Sequence, residues 1–269
     1  MMIKYGFQTY TWQMSYEKYA GKMEHIADIA AKGKMGAIEA EICMLKEYFD
    51  APEKLQELFA EKNIDFCALC LVCDWLGPKE NEEEKFLADK ALKYLRLFPG
   101  AILALCQMPQ KNRENLAMRQ KNALGNLNEI AKRAQSAGTA CVFHPNSPAG
   151  SVFRTYDDYR LMLDGLDARQ IGFAPDSGHI IKGGMNARDI FADYAAIIKH
   201  VHFKDIDAGG NWKLMGEGMT DFPEIIEILK NKGYGGYIMV EDESPEAETN
   251  PDAAALKNSE YLRKVCLKI

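Results

Sequence analysis

The chain alternates, eight times over, between a short apolar run and a longer amphipathic one, and no other feature restricts its fold as tightly. The short runs are IKYGFQTY (3–10), AIEAEI (37–42), DFCALCLVC (65–73), AILALCQ (101–107), TACVFH (139–144), IGFAPD (171–176), KHVHFK (199–204) and GYIMVE (236–241). Runs of this kind suit strands buried on both faces. Between them, segments such as 16–32, 51–63, 113–138 and 221–233 space their apolar residues at the helical period. Helix boundary signals agree: Asp221 stands where an N-cap belongs, and NKGYGG closes the same segment. The alternation predicts an α/β fold, a single (β/α)8 TIM barrel occupying residues 1–269 as one domain. A doubly wound open sheet is the main rival. However, no glycine-rich turn follows the first run, and no linker or low-complexity tract marks a second domain.

Composition removes several classes of function. No stretch reaches the roughly 18 uncharged apolar residues that a membrane helix needs. The opening MMIKYGFQTYTW builds no secretory apolar segment, so a soluble protein with no membrane partner is expected. Seven cysteines, at 43, 67, 70, 73, 106, 141 and 266, lie mostly inside apolar segments, which points to reduced thiols and a cytoplasmic location. The Cys-x-x-Cys spacing within CALCLVC reads as structural, because neither a second ligand pair nor a thioredoxin-like context accompanies it. A net charge of −6 with only short basic runs argues against nucleic acid as a partner.

Barrels of this kind carry their chemistry at the C-terminal ends of the strands. That rule selects Glu39 and Glu41 at the second run, His144 at the fifth, Asp176 and His179 at the sixth, His202 and Lys204 at the seventh, and Glu241 and Glu243 at the eighth. Strand alternation places His200, His202 and Lys204 on one face. Taken singly, each has an ordinary explanation: a hydrogen-bonded rim histidine, a solvated glutamate, or a loop pair between Lys204 and Asp205. Their convergence is harder to dismiss. His144, Asp176, His202 and Glu241 end four consecutive runs, so two imidazoles and two carboxylates surround one space. That set suits one divalent ion, Mn²⁺, Co²⁺, Zn²⁺ or Mg²⁺, in an open site.

PDSGH (175–179), HVHFKD (200–205), GEGMTDF (216–222) and MVEDE (239–243), together with YGFQTYTW and GAIEAE near the start, resemble the xylose isomerase-like barrels. These are sugar-phosphate isomerases and epimerases, with inosose dehydratases and apurinic endonucleases among their relatives. The resemblance implies a divalent metal held by His144, Asp176, His202 and Glu241, with Glu241 also moving a proton. It places His179, the second member of an Asp-x-x-His pair, beside the metal, on substrate or behind the ligands. Glu39 corresponds to a strand-2 glutamate that faces substrate, and Glu41 stands with it as a substrate contact. Glu217 lies in a turn expected to close over the site, where its flanking glycines would let backbone approach a ligand.

One departure affects mechanism. Isomerases and epimerases of this group carry a glutamate at the end of the fifth strand, where this chain has His144 within VFHPN. That substitution resembles the inosose dehydratase branch and replaces a two-glutamate proton shuttle by one carboxylate assisted by imidazole or by Lys204. Burial under a closed loop is expected to leave Glu241 a usable base near neutral pH. The leading expectation is a metal-dependent sugar isomerase or epimerase acting on a keto-sugar or polyol through an enediolate, with dehydration of an inosose-like ring in inositol catabolism as the alternative. A non-catalytic sugar-binding barrel is the rival from another class. DNA repair lacks support, since there is no histidine between 26 and 143 and none after 202. A homo-oligomer is expected from the resemblance alone.

Overall fold

The computed structural model describes residues 2–268. Its eight barrel strands are β1 (Lys4–Gln8), β2 (Ala37–Glu41), β3 (Asp65–Cys73), β4 (Ile102–Gln107), β5 (Cys141–Phe143), β6 (Ile171–Phe173), β7 (Val201–Phe203) and β8 (Tyr237–Val240). They form one sheet in the order β6-β5-β4-β3-β2-β1-β8-β7, and every pair is parallel. The remaining gap, between β6 and β7, is bridged at Phe173–Ile198 and Asp176–His202. There Lys199 N donates to Phe173 O at 3.0 Å and His202 N donates to Pro175 O at 2.9 Å. The barrel therefore closes at two of the candidate ligands.

The strands obey a two-residue alternation that separates packing from chemistry. One parity points outward: Ile38, Leu69, Leu103, Phe143, Phe173, Phe203 and Val240 belong to the large core beneath the helices. The other points inward and carries small or polar groups. Ala37, Cys67, Ala68 and Met239 form one inner cluster, and Cys70, Ala104, Cys106, Val142 and Ala174 form another. An eight-stranded barrel has little interior room. At Gly6 a Cβ would lie 2.4 Å from Ala37 O, so that position admits only glycine. The cysteines thus serve mainly as small packing groups; all seven are free thiols, and only Cys43 is exposed.

Element boundaries differ from the sequence expectation where backbone chemistry intervenes. Segment 16–32 forms two helices, Tyr16–Tyr19 and Met23–Lys32, broken at Gly21, whose φ of +77° is a left-handed conformation. Segment 113–138 is helical over Leu116–Ser136, and 221–233 over Phe222–Asn231, where the Asp221 carboxylate accepts from Glu224 N at 3.0 Å. The fifth and sixth strands stop early, just before Pro145 and Pro175 begin to enter the chain path, since proline has no N–H for the ladder. His144, Asp176, Lys204 and Glu241 consequently lie just past their strands, in the connections at the barrel mouth. Among the described residues no helix is long and apolar enough to cross a membrane.

Candidate active site

Asp176 and His179 stand three residues apart because they begin a helix. Asp176 caps Ser177–Lys182, its Oδ1 accepting from His179 N at 2.7 Å. The turn is locked from below: Ser177 Oγ donates to Lys204 O at 2.8 Å and accepts from Lys204 N at 3.0 Å. Gly178 is required there, since a Cβ would come within 2.7 Å of the Trp212 ring and 3.0 Å of Lys204 O. Asp176 thereby spends one carboxylate oxygen on the cap. Its Oδ2 is buried with no hydrogen-bond partner.

That unpartnered oxygen belongs to a cluster of four. His144, Asp176, His202 and Glu241 each offer a donor atom, and these atoms all lie within 4.8 Å of one another. His144 Nδ1 donates to Ala174 O at 3.3 Å, which leaves Nε2 for the cluster. His202 Nε2 donates to Glu39 Oε2 at 2.8 Å, which turns Nδ1 toward Glu241 Oε2 at 3.0 Å. Two imidazole nitrogens held by outer partners, a buried carboxylate oxygen without a donor and a second carboxylate form a set that fits a divalent cation. Burial pushes Asp176 up to about 6 despite Lys204, an unfavourable setting for an anion that a bound cation would relieve.

Lys204, fully buried, supplies the cation that belongs to the chain itself. Its Nζ pairs with Glu241 and Glu243, lies 3.9 Å from Asp176 Oδ2 and donates to His179 Nε2 at 3.3 Å. Burial works against its charge, but Glu241, Glu243 and Asp176 outweigh it and hold the pKa well above the ordinary lysine range. Because the ammonium donates to Nε2, His179 carries its proton on Nδ1, donated to Ser147 Oγ at 2.8 Å. Burial and the neighbouring Lys204 keep this imidazole neutral. For Glu241 burial alone would raise the pKa, yet Lys204 and His202 hold it at about 2. The expectation of a base poised near neutrality at Glu241 is therefore corrected: its ion pairs dominate its desolvation.

A cavity of about 560 Å³ opens above the cluster, and His144, His179, Glu241, Glu243 and Glu41 reach its wall. Two sequence expectations do not survive the geometry. Glu39 was expected to face substrate, but it is fully buried below the cavity, where His200 Nε2 at 2.6 Å and His202 Nε2 at 2.8 Å both donate to one of its oxygens. Burial opposes its charge, and the two imidazoles pull its pKa well below the carboxylate range. Glu217 is exposed and away from the cavity wall. The glycines of its turn have packing reasons: a Cβ on Gly216 would lie 2.1 Å from the Tyr261 ring, and one on Gly218 would lie 2.3 Å from Asp205 Oδ1. Asp205 gathers the backbone N–H groups of Gly216, Gly218 and Thr220, which fixes the turn rather than leaving it to close on a ligand.

Other contributors were not singled out from sequence. Ser147 orients His179, and Gln8 reaches Glu41 from β1. Trp212, from a two-stranded ribbon with Asp205–Ile206, sets its ring edge-on to His179 at 5.4 Å. None of these residue types stands out at its place in the sequence, and only the fold brings them to the mouth.

The model of the xylose isomerase-like TIM barrel matches residues 16–265. The chain belongs to that family. An inosose dehydratase from Lacticaseibacillus casei is 34% identical over 154 residues, 51% of this chain and 51% of that protein, so the chain spans about half the length of the curated relatives it matches. Among solved structures, the IolI protein with a bound zinc atom superposes with a TM-score of 0.81 at 16% identity, covering 99% of both chains. The 3-keto-D-glucoside 4-epimerase YcjR from E. coli gives 0.72 at 18% identity, covering 97% of this chain and 99% of that one. At such identities these two structures speak to the fold alone.

Proposed function

We propose that this family member is a divalent-metal-dependent lyase that removes water from a cyclic polyol ketone of the inosose class. The observation that carries the reading is the four-donor cluster beneath the cavity, in which His144 stands where the epimerising relatives are expected to have a second glutamate. The similarity to inosose dehydratases supports the choice of substrate class. His144, Asp176, His202 and Glu241 would hold the metal, which when bound would polarise the substrate carbonyl and acidify the adjacent C–H.

The chain's own groups have complementary tasks. Glu241 is ionised and able to accept the α-proton, although its ion pairs make it a weak base, so the substrate must be well acidified. Lys204 stays charged and stabilises negative charge developing next to Glu241. His179, neutral and fixed between Lys204 and Ser147, holds the Lys204 ammonium in place at the cavity wall. A second reading, epimerisation of a keto-sugar, is favoured by one observation: Glu41 and Glu241 both line the cavity and could serve two faces of one carbon.

The test is to incubate the protein with an inosose and with ketoses, each with Mn²⁺, Co²⁺, Zn²⁺ or Mg²⁺, in deuterated water. Dehydration gives an unsaturated or diketo product; epimerisation gives an isomeric sugar with deuterium beside the carbonyl. Saturable sugar binding without either product and without metal dependence would favour a binding protein instead.

A further inference from the structure

We infer that Glu41 is the second proton-transferring group of this site, giving its proton to the departing hydroxyl of the substrate. The inference rests on the dehydratase reading above. Glu41 ends β2, across the barrel from β6 and two strands from β8, and its carboxyl lines the cavity that Glu241 and His179 also line. A substrate seated over the four-donor cluster would therefore extend toward it.

Its surroundings differ from those of the other cavity carboxyls. Glu241 and Glu243 both pair with Lys204, whereas among the described residues no lysine, arginine or histidine pairs with Glu41. Its contacts are neutral. Gln8 Nε2 donates to Glu41 Oε1 at 3.2 Å, and the Cys70 thiol lies against the carboxyl. The orientation of Gln8 is not free, because its Oε1 accepts from Tyr10 N, which leaves the NH₂ end for Glu41. Thr9 Oγ1 accepts from Glu41 N at 2.9 Å and fixes the backbone. The titratable groups that face it are Cys70, Cys106, Cys43, Tyr10, Glu39 and Glu241, and none is a cation. Burial, with the negative charges of Glu241 and Glu39, accordingly raises this carboxyl to about 7, so near neutral pH it retains a proton to give.

Dehydration needs such a donor, since hydroxide leaves poorly. The α-proton goes to Glu241, and its electron pair forms the new C=C bond. The C–O bond of the β-hydroxyl breaks, and the departing oxygen takes the proton of Glu41 and leaves as water. Glu241 then gives up the α-proton and Glu41 regains a proton, through solvent, which restores both groups.

The test compares wild type, Glu41→Gln and Glu41→Asp, each metal-loaded, on an inosose in deuterated water. Glu41→Gln should keep its metal and still exchange the α-hydrogen while losing product formation by on the order of 10²-fold or more; Glu41→Asp should recover part of the loss. Undiminished product in Glu41→Gln, or loss of exchange together with product, overturns the inference. If wild type neither exchanges nor releases water, the dehydratase reading itself has failed. The carboxyl is then read directly by infrared difference spectroscopy of wild type against Glu41→Gln. A protonated carboxyl band that titrates near pH 7 and vanishes in the variant supports a proton donor; a carboxylate ionised throughout overturns it.

Discussion

Glu41 and Glu241 are the same residue type on inward-facing positions of strands separated only by β1, yet their acidities move in opposite directions, to about 7 and to about 2. Both are buried, so desolvation acts on both in the same sense. The difference lies in the halves of the barrel they belong to. Around Glu41, β1 to β4 provide an amide, thiols and aliphatic groups. Around Glu241, β7 and the connections after β5 and β7 provide His202, His144 and Lys204. A narrow barrel thus separates a charge-dense half, which we propose holds a cation, from a half in which no cation faces Glu41 and its carboxyl is pushed up to about 7. Burial alone does not tell an acid from a base; the partners decide.

The largest effects should come from dismantling the charge-dense half. Asp176→Ala or His202→Ala should weaken divalent-metal affinity by on the order of 10³-fold or more, beyond the roughly 10–100-fold that loss of an outer partner costs. Titration calorimetry with Mn²⁺ checks this, and affinity within a few-fold of wild type in both variants would remove the cluster from consideration.

The half around Glu41 gives a pH signature. Because the folded-state pKa of Glu41 lies above its ordinary 4.5, the folded protein binds more protons than the unfolded chain between about 4.5 and 7. Stability from this group is therefore complete below that window and is lost as pH rises through it, by roughly 3 kcal/mol at most. Denaturant unfolding of Glu41→Gln should lack that decline, so the variant gains on wild type as pH rises from 5 to 8. Parallel pH profiles for the two proteins would break the contrast.

Smaller changes sharpen it. Glu39→Gln keeps the shape beneath His202 but removes the charge that both imidazoles share, so metal affinity should fall about tenfold. Glu217→Ala, on the exposed turn held by Asp205, should change neither metal affinity nor turnover by more than about twofold, since surface substitutions away from special features are near neutral.

Much of this was legible in the sequence because barrel strands impose a period of two. His200, His202 and Lys204 had to share a face, and the rule that barrel chemistry gathers at the C-terminal strand ends pointed to His144, Asp176 and Glu241 at the mouth with them. Depth was not legible. Glu39 and Glu41 have the same parity and lie two residues apart, but one sits beneath the ligands and the other in the cavity wall, a distinction set by strand stagger rather than by local pattern. The GEG turn misled for a related reason: its glycines answer to Tyr261 and Asp205, distant or unremarkable in sequence, instead of to a ligand. The balance at Glu241 was equally hidden, because it depends on Lys204 reaching across from the neighbouring strand.

The central claim is that His144, Asp176, His202 and Glu241 together hold one cation. Anomalous diffraction at the manganese edge, from crystals grown with Mn²⁺, locates that ion directly. The account predicts a single strong peak within bonding distance of all four residues and unshared with His200. A peak held instead by Glu39, His200 and His202, whose donor atoms also lie within 4.8 Å of one another, would contradict it, as would the lack of any peak at the barrel mouth.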